Sequence, residues 1–138
     1  MTIRGVIGIT FIGHLLNHSL TLIYPVIMIQ IMDLFPEASL TTLGLVGTAH
    51  YLLYGVGAFP AGWLTDRLGA RNVLIIYFLG SAGSVVLLAA ATTLWQLAAG
   101  LALLGLFCAL YHPAGLTIIS HNSGTISKHL GYHGVAGS

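Results

Sequence analysis

The sequence predicts an all-α, polytopic transmembrane helix bundle of about four spans plus the start of a fifth. Three observations carry this. The composition is 57% hydrophobic and only 5% charged over 138 residues, with a mean hydropathy of +0.95. That excludes an ordinary soluble domain. Long apolar segments, Leu40 to Leu64 and Val73 to Ala91, flank the compact charged stretch Gly62–Arg71, which cannot lie in hydrocarbon and must connect two spans. With the N-terminus inside, Arg4, Arg67, Arg71 and Lys128 all fall on the cytoplasmic side, while the loops at 33–39 and 92–95 hold no basic residue.

Taken in order, the chain reads as one partial helix bundle over 1–138, with helices at about 5–32, 40–64, 72–91 and 94–120 and a fifth starting at 131. The apolar stretch from Gly5 to Met32 is too long for a signal-peptide core and is interrupted by His14, Asn17 and His18, so it reads as an uncleaved first helix. Pro36 cannot continue that helix, and Asp33 and Glu37 favour the water side. Ser39, Thr41 or Thr42 can cap the second helix, and Pro60 near its end predicts a kink or a neighbour that satisfies the freed carbonyl. Gly80, Gly83 and Ser84 give the third helix small residues for close packing. A very short turn at Thr92-Thr93-Leu94 makes the third and fourth helices antiparallel neighbours. Trp63 and Trp95 suit opposite interfacial belts. His121 to Leu130 reads as a polar connection.

The charged stretch is the most specific element. Gly62 would let the helix end pack closely, Asp66 can accept from the N–H groups opening the next helix, and Gly69 supplies the positive φ of a sharp turn. Arg67 and Arg71 anchor the connection among lipid headgroups. Gly62, Asp66, Arg67, Gly69 and Arg71 resemble the signature loop between the second and third helices of major facilitator superfamily transporters, with Ala70 standing where a basic residue is usual. The resemblance implies the N-terminal portion of a twelve-helix secondary transporter, with this loop as a cytoplasmic gate hinge. It also implies a multi-pass location in the plasma (inner) membrane. Since that fold needs two six-helix halves around one cavity, the chain is expected to be a fragment that relies on transporter helices it does not contain. The competing expectation is a small, non-transporting membrane scaffold or regulatory subunit built from the same helices.

Three polar patches are candidates for the solute path. His14, Asn17, His18, Thr21 and Tyr24 share one face of the first helix. A polar stripe in mid-span must face protein or water, because lipid leaves its donors unpaired. It can wall an aqueous cavity or form an interhelical hydrogen-bond seam, and two imidazoles are a costly way to build a seam. His50, Tyr51 and Tyr54 on the second helix read as hydrogen-bonded packing. Tyr111 and His112 share a face of the fourth helix with Cys108 and Gly115, where Pro113 breaks the backbone; the break can mark a binding site, as in transporters, or be a kink that only lets the helix end pack.

Tyr111-His112-Pro113-Ala114-Gly115 and Gly131-Tyr132-His133-Gly134 resemble the fourth- and fifth-helix segments of major facilitator members of the fosmidomycin-resistance and drug-efflux type. The arginine that many proton-coupled members carry early in the fourth helix is absent, its place being held by Leu101. The expected partners are the lipid bilayer and a small polar or drug-like solute, with no basic patch for nucleic acid. No catalytic residue, enzyme activity or cofactor is expected. No metal site is expected either, since the seven histidines are spread along the chain and no cysteine pair or flanking acid completes a ligand set. Cys108, alone in an apolar run, reads as a packing residue.

Overall fold

A computed structural model describes residues 3–122 and 124–137. Those residues form six helices and no strand: α1 (Ile3–Leu34), α2 (Leu40–Leu68), α3 (Ala70–Ala89), α4 (Leu94–Ala109), α5 (Tyr111–Asn122) and α6 (Ile126–Ala136). Three stretches are long and apolar enough to cross a membrane: Ile3–Leu34, Ala70–Ala89 and the combined segment Leu94–Asn122. α2 is long enough but not among them, because His50, Tyr51, Tyr54 and a series of glycines dilute its apolar run.

α1 has 32 residues and is therefore about 48 Å long, more than the hydrocarbon thickness. It passes through Pro25 without ending. Proline has no N–H for the carbonyl four residues back, which is that of Thr21. The Tyr51 hydroxyl of α2 donates to that carbonyl at 3.1 Å, so a neighbouring helix replaces the missing donor. α1 stops at Leu34, just before Pro36. Ser39 then caps α2, its Oγ accepting from the Thr42 N–H at 3.1 Å. Thr93 caps α4 in the same way, accepting from the Gln96 N–H at 3.2 Å.

The connection expected to be a loop is shorter than the sequence suggests. α2 runs past Leu64 and Pro60 to Leu68, so Asp66 and Arg67 lie in its last helical turn and only Gly69 separates α2 from α3. Gly69 has φ +80°, and it donates to the Thr65 carbonyl at 2.9 Å. A residue with a Cβ would be strained there. Gly62, expected to allow a close helix approach, has no neighbour within 4 Å of where a Cβ would stand. The close approach occurs instead at Gly105 of α4, where a Cβ would collide with the backbone carbonyl of His50 in α2. α2 and α4 pack against each other along much of their length, and α3 covers α4.

The fourth helix is two segments. α4 ends at Ala109, Leu110 donates back to Phe107 at 3.1 Å, and α5 starts at Tyr111. Pro113 then sits in the first turn of α5, where a missing N–H is tolerated. The polar connection expected over 121–130 is mostly helical, since α5 reaches Asn122 and α6 begins at Ile126 rather than 131.

Two buried clusters fill the bundle. One gathers Val73, Leu74, Tyr77, Leu104, Cys108 and Tyr111 where α3, α4 and α5 meet. The other gathers Tyr24, Ile31, Phe35, Leu43, Leu97 and Leu101 nearer the α1–α2 turn. Outside them, large apolar side chains lie open around the bundle, among them Phe59, Leu79, Val26 and Trp95. Water would penalise such a surface, whereas lipid does not.

Candidate functional site

The polar stripe of α1 faces protein. His14, Asn17 and Tyr24 are buried and His18 and Thr21 half-buried, while Leu15, Leu16, Leu22 and Ile23 are exposed. The helix period alone produces this division, because the polar residues recur every three to four positions and the apolar ones fill the other faces.

The stripe splits by partner. Towards the α1–α2 turn it bonds to α2. The Tyr24 hydroxyl donates to the Leu43 carbonyl at 2.7 Å, and its ring lies where Gly47 leaves room. The Thr21 hydroxyl donates within α1 to Asn17, and the Asn17 amide donates to the Tyr54 hydroxyl at 3.4 Å. These three residues tie α1 to α2 directly or through the helix backbone.

Towards the N-terminal half of α1 the partners are other imidazoles. His112 comes from α5 and His133 from α6. His14, His112 and His133 each present a ring nitrogen, and these nitrogens all lie within 4.8 Å of one another. The rings of His14 and His133 stack with centroids 4.0 Å apart and planes 3° from parallel. His112 stands edge-on to His14 at 5.1 Å and to His18 at 5.7 Å. His18 Nε2 is 3.0 Å from His14 Nε2. His14 Nδ1 is 2.5 Å from the backbone carbonyl of His133. A carbonyl only accepts, so Nδ1 of His14 carries the hydrogen, and in the neutral ring Nε2 keeps its lone pair. His18 Nε2–H then donates to it. Both ring nitrogens of His133 are buried and lack a hydrogen bond among the described residues.

Local sequence explains how the rings converge. Tyr77 donates to the Gly13 carbonyl at 3.2 Å, and Tyr111 donates to the Thr10 carbonyl, so two tyrosines from α3 and α5 hold α1 beside the cluster. Gly13 leaves room for the Tyr111 ring, and Gly137 leaves room for the His14 ring. Tyr111, expected as a cavity residue, is fully buried and acts as this brace. His112, its neighbour, is half-buried at the cluster edge. His133 was not among the candidates read from the sequence. His50 stays apart on α2, between Tyr51 and Tyr54.

The signature residues gather at one end of the bundle. Asp66, Gly69, Ala70 and Arg71 line a cleft of about 460 Å³ with Val6 of α1 and Thr117, Ile118, His121 and Asn122 of α5. Arg67 points instead along α2, its guanidinium 5.0 Å from the centroid of the Trp63 ring. The start of α1, the α2–α3 link and the end of α5 therefore share an end, and Asp33 and Glu37 lie at the α1–α2 turn away from it.

A family model described as Major Facilitator Superfamily matches residues 6–135. No curated protein matches the chain.

Proposed function

The chain belongs to the major facilitator superfamily, and from that premise we propose that it supplies the N-terminal helices of a secondary active transporter that exports or exchanges a small polar or drug-like solute by alternating access. The resemblance of the Tyr111–Gly115 and Gly131–Gly134 segments favours the fosmidomycin-resistance and drug-efflux type. The observation that carries the solute path is the convergence of His14, His18 and His112 from α1 and α5 on one inward region, while the apolar side chains of α1 face out. Neutral imidazoles offer both a donor and an acceptor to a polar solute. In this reading α2 also crosses the membrane, further helices outside this chain form the opposite wall, and the N-terminus and the end bearing Arg4, Arg67, Arg71 and Lys128 face the cytoplasm.

The α2–α3 link is proposed as the gate hinge. α2 and α3 meet at one left-handed glycine, so any change in their angle is taken up at Gly69 or in the adjacent turns.

The test is solute flux in inverted membrane vesicles holding the intact transporter, compared with His18→Gln. Export should fall about tenfold, the effect of about 1.4 kcal/mol, with surface expression unchanged. Residues 1–138 reconstituted alone should move nothing. Wild-type flux in the variant would place the solute elsewhere, and flux by residues 1–138 alone would remove the need for an opposite wall.

A further inference from the structure

We propose that His14, His112 and His133 form a binding site for a borderline divalent transition-metal ion of the zinc class. The proposal concerns equilibrium binding and stands whether or not the chain transports a solute.

Three observations point to the site. The three rings come from α1, α5 and α6 and present nitrogens within 4.8 Å of one another. His133 is 5% exposed, and neither of its buried ring nitrogens has a partner in good hydrogen-bond geometry, although the ring lies against the Thr10 backbone. A buried polar group in that condition is costly, and a cation would satisfy it. Finally, the His14 Nδ1–H donates to the His133 carbonyl, which fixes the tautomer and directs the Nε2 lone pair into the cluster. A backbone carbonyl behind a ligating imidazole is the usual outer support of a metal-binding histidine.

The ligand type sets the metal. Neutral imidazole nitrogens suit zinc, nickel, copper or cobalt, and the absence of carboxylates among these three residues disfavours calcium and magnesium. In a tetrahedral zinc site with bonds of about 2.0–2.1 Å, ligand nitrogens stand about 3.3 Å apart. Closing the cluster to that spacing needs the stacked rings of His14 and His133 to splay and turn. His18, now bonded to His14 Nε2, is close enough to yield that position or to become a fourth ligand. Three ligands and an open position would leave room for water or solute.

The experiment is titration of the purified 138-residue chain in detergent with Zn²⁺ by calorimetry and with Co²⁺ by visible absorption. One ion per chain is expected, and Co²⁺ should give the intense d–d bands of a four- or five-coordinate nitrogen site. His112→Gln and His133→Gln should each weaken Zn²⁺ binding on the order of tenfold to a hundredfold, while the paired change of the exposed His121 and the half-buried His129 to Gln should not. The Co²⁺ spectrum of the unaltered chain requires no variant to fold. Absence of those bands would overturn the site, as would equal Zn²⁺ affinity in the unaltered chain and the His112 variant. Loss of binding in the His121 and His129 variant alone would make the ion a surface adduct and also overturn it.

Discussion

The two ends of the α1 stripe are both polar but stand in two different situations. Towards the α1–α2 turn, Asn17, Thr21 and Tyr24 meet hydroxyls and carbonyls, and even the carbonyl freed by Pro25 receives the Tyr51 hydroxyl. Towards the N-terminal half, His14 and His18 meet His112 and His133, whose rings can trade one donor for one acceptor but cannot all be satisfied together. The first region is a seam whose polar groups hold helices together. In the second, a ligand could complete what the rings leave unpaired. Polarity in mid-span therefore does not identify a site by itself; the seam leaves one buried acceptor, Asn17 Oδ1, without a hydrogen bond, whereas in the second region His133 leaves both ring nitrogens so.

The largest difference between the regions should be in stability. Tyr24→Ala removes a buried ring and its bond to Leu43, and should cost about 3 kcal/mol in reversible unfolding in detergent. His18→Gln, at the half-buried edge of the cluster, should cost less than about 1 kcal/mol in the same assay. Equal losses would erase the distinction between seam and site.

A smaller effect sharpens the account of the seam. Tyr51→Phe should cost about 1 kcal/mol, because the Thr21 carbonyl loses its substitute donor. Pro25→Ala restores a backbone N–H, so the same tyrosine change should cost close to nothing in that background. A double-mutant cycle measures the coupling. Additive costs would mean that Tyr51 holds α1 by packing alone.

The smallest effect belongs to the α2–α3 link. Asp66 is exposed between the last turn of α2 and the start of α3, so a favourable interaction with the α3 N-terminus of about 0.3–1 kcal/mol is partly offset by the C-terminal end of α2. Asp66→Asn should insert normally and slow transport by the intact protein about two- to fivefold. Unchanged turnover at equal expression would leave Gly69 as a turn with no part in gating.

The sequence made the helices and the shared polar face of α1 legible because both depend on local periodicity. The positive φ at Gly69 was legible for the same reason, since a tight turn between apolar runs requires it. What escaped was set by distance along the chain. Pro25 looks harmful until Tyr51 is placed beside Thr21, and His133 looks like part of a helix start until α6 packs on α1. The close contact expected at Gly62 occurs at Gly105, because nothing local distinguishes a glycine facing a neighbour from one facing outward. The helix expected to stop at Leu64 continues because the charged side chains of Asp66 and Arg67 can leave the bundle without leaving the helix.

The interruption between α4 and α5 has a consequence in time as well as in space. Pro113 has no N–H for the Ala109 carbonyl, so the hydrogen-bond ladder of the segment Leu94–Asn122 is cut at that level. α5 then packs on α1 and α3 more than on α4. Its amides are therefore expected to open with those neighbours, and deuterium should enter α4 and α5 at separate rates although one continuous apolar stretch encodes both. His112 rides on α5, so the pace at which the imidazole cluster re-forms is set by contacts with α1 and α3 and not by the long helix that precedes it.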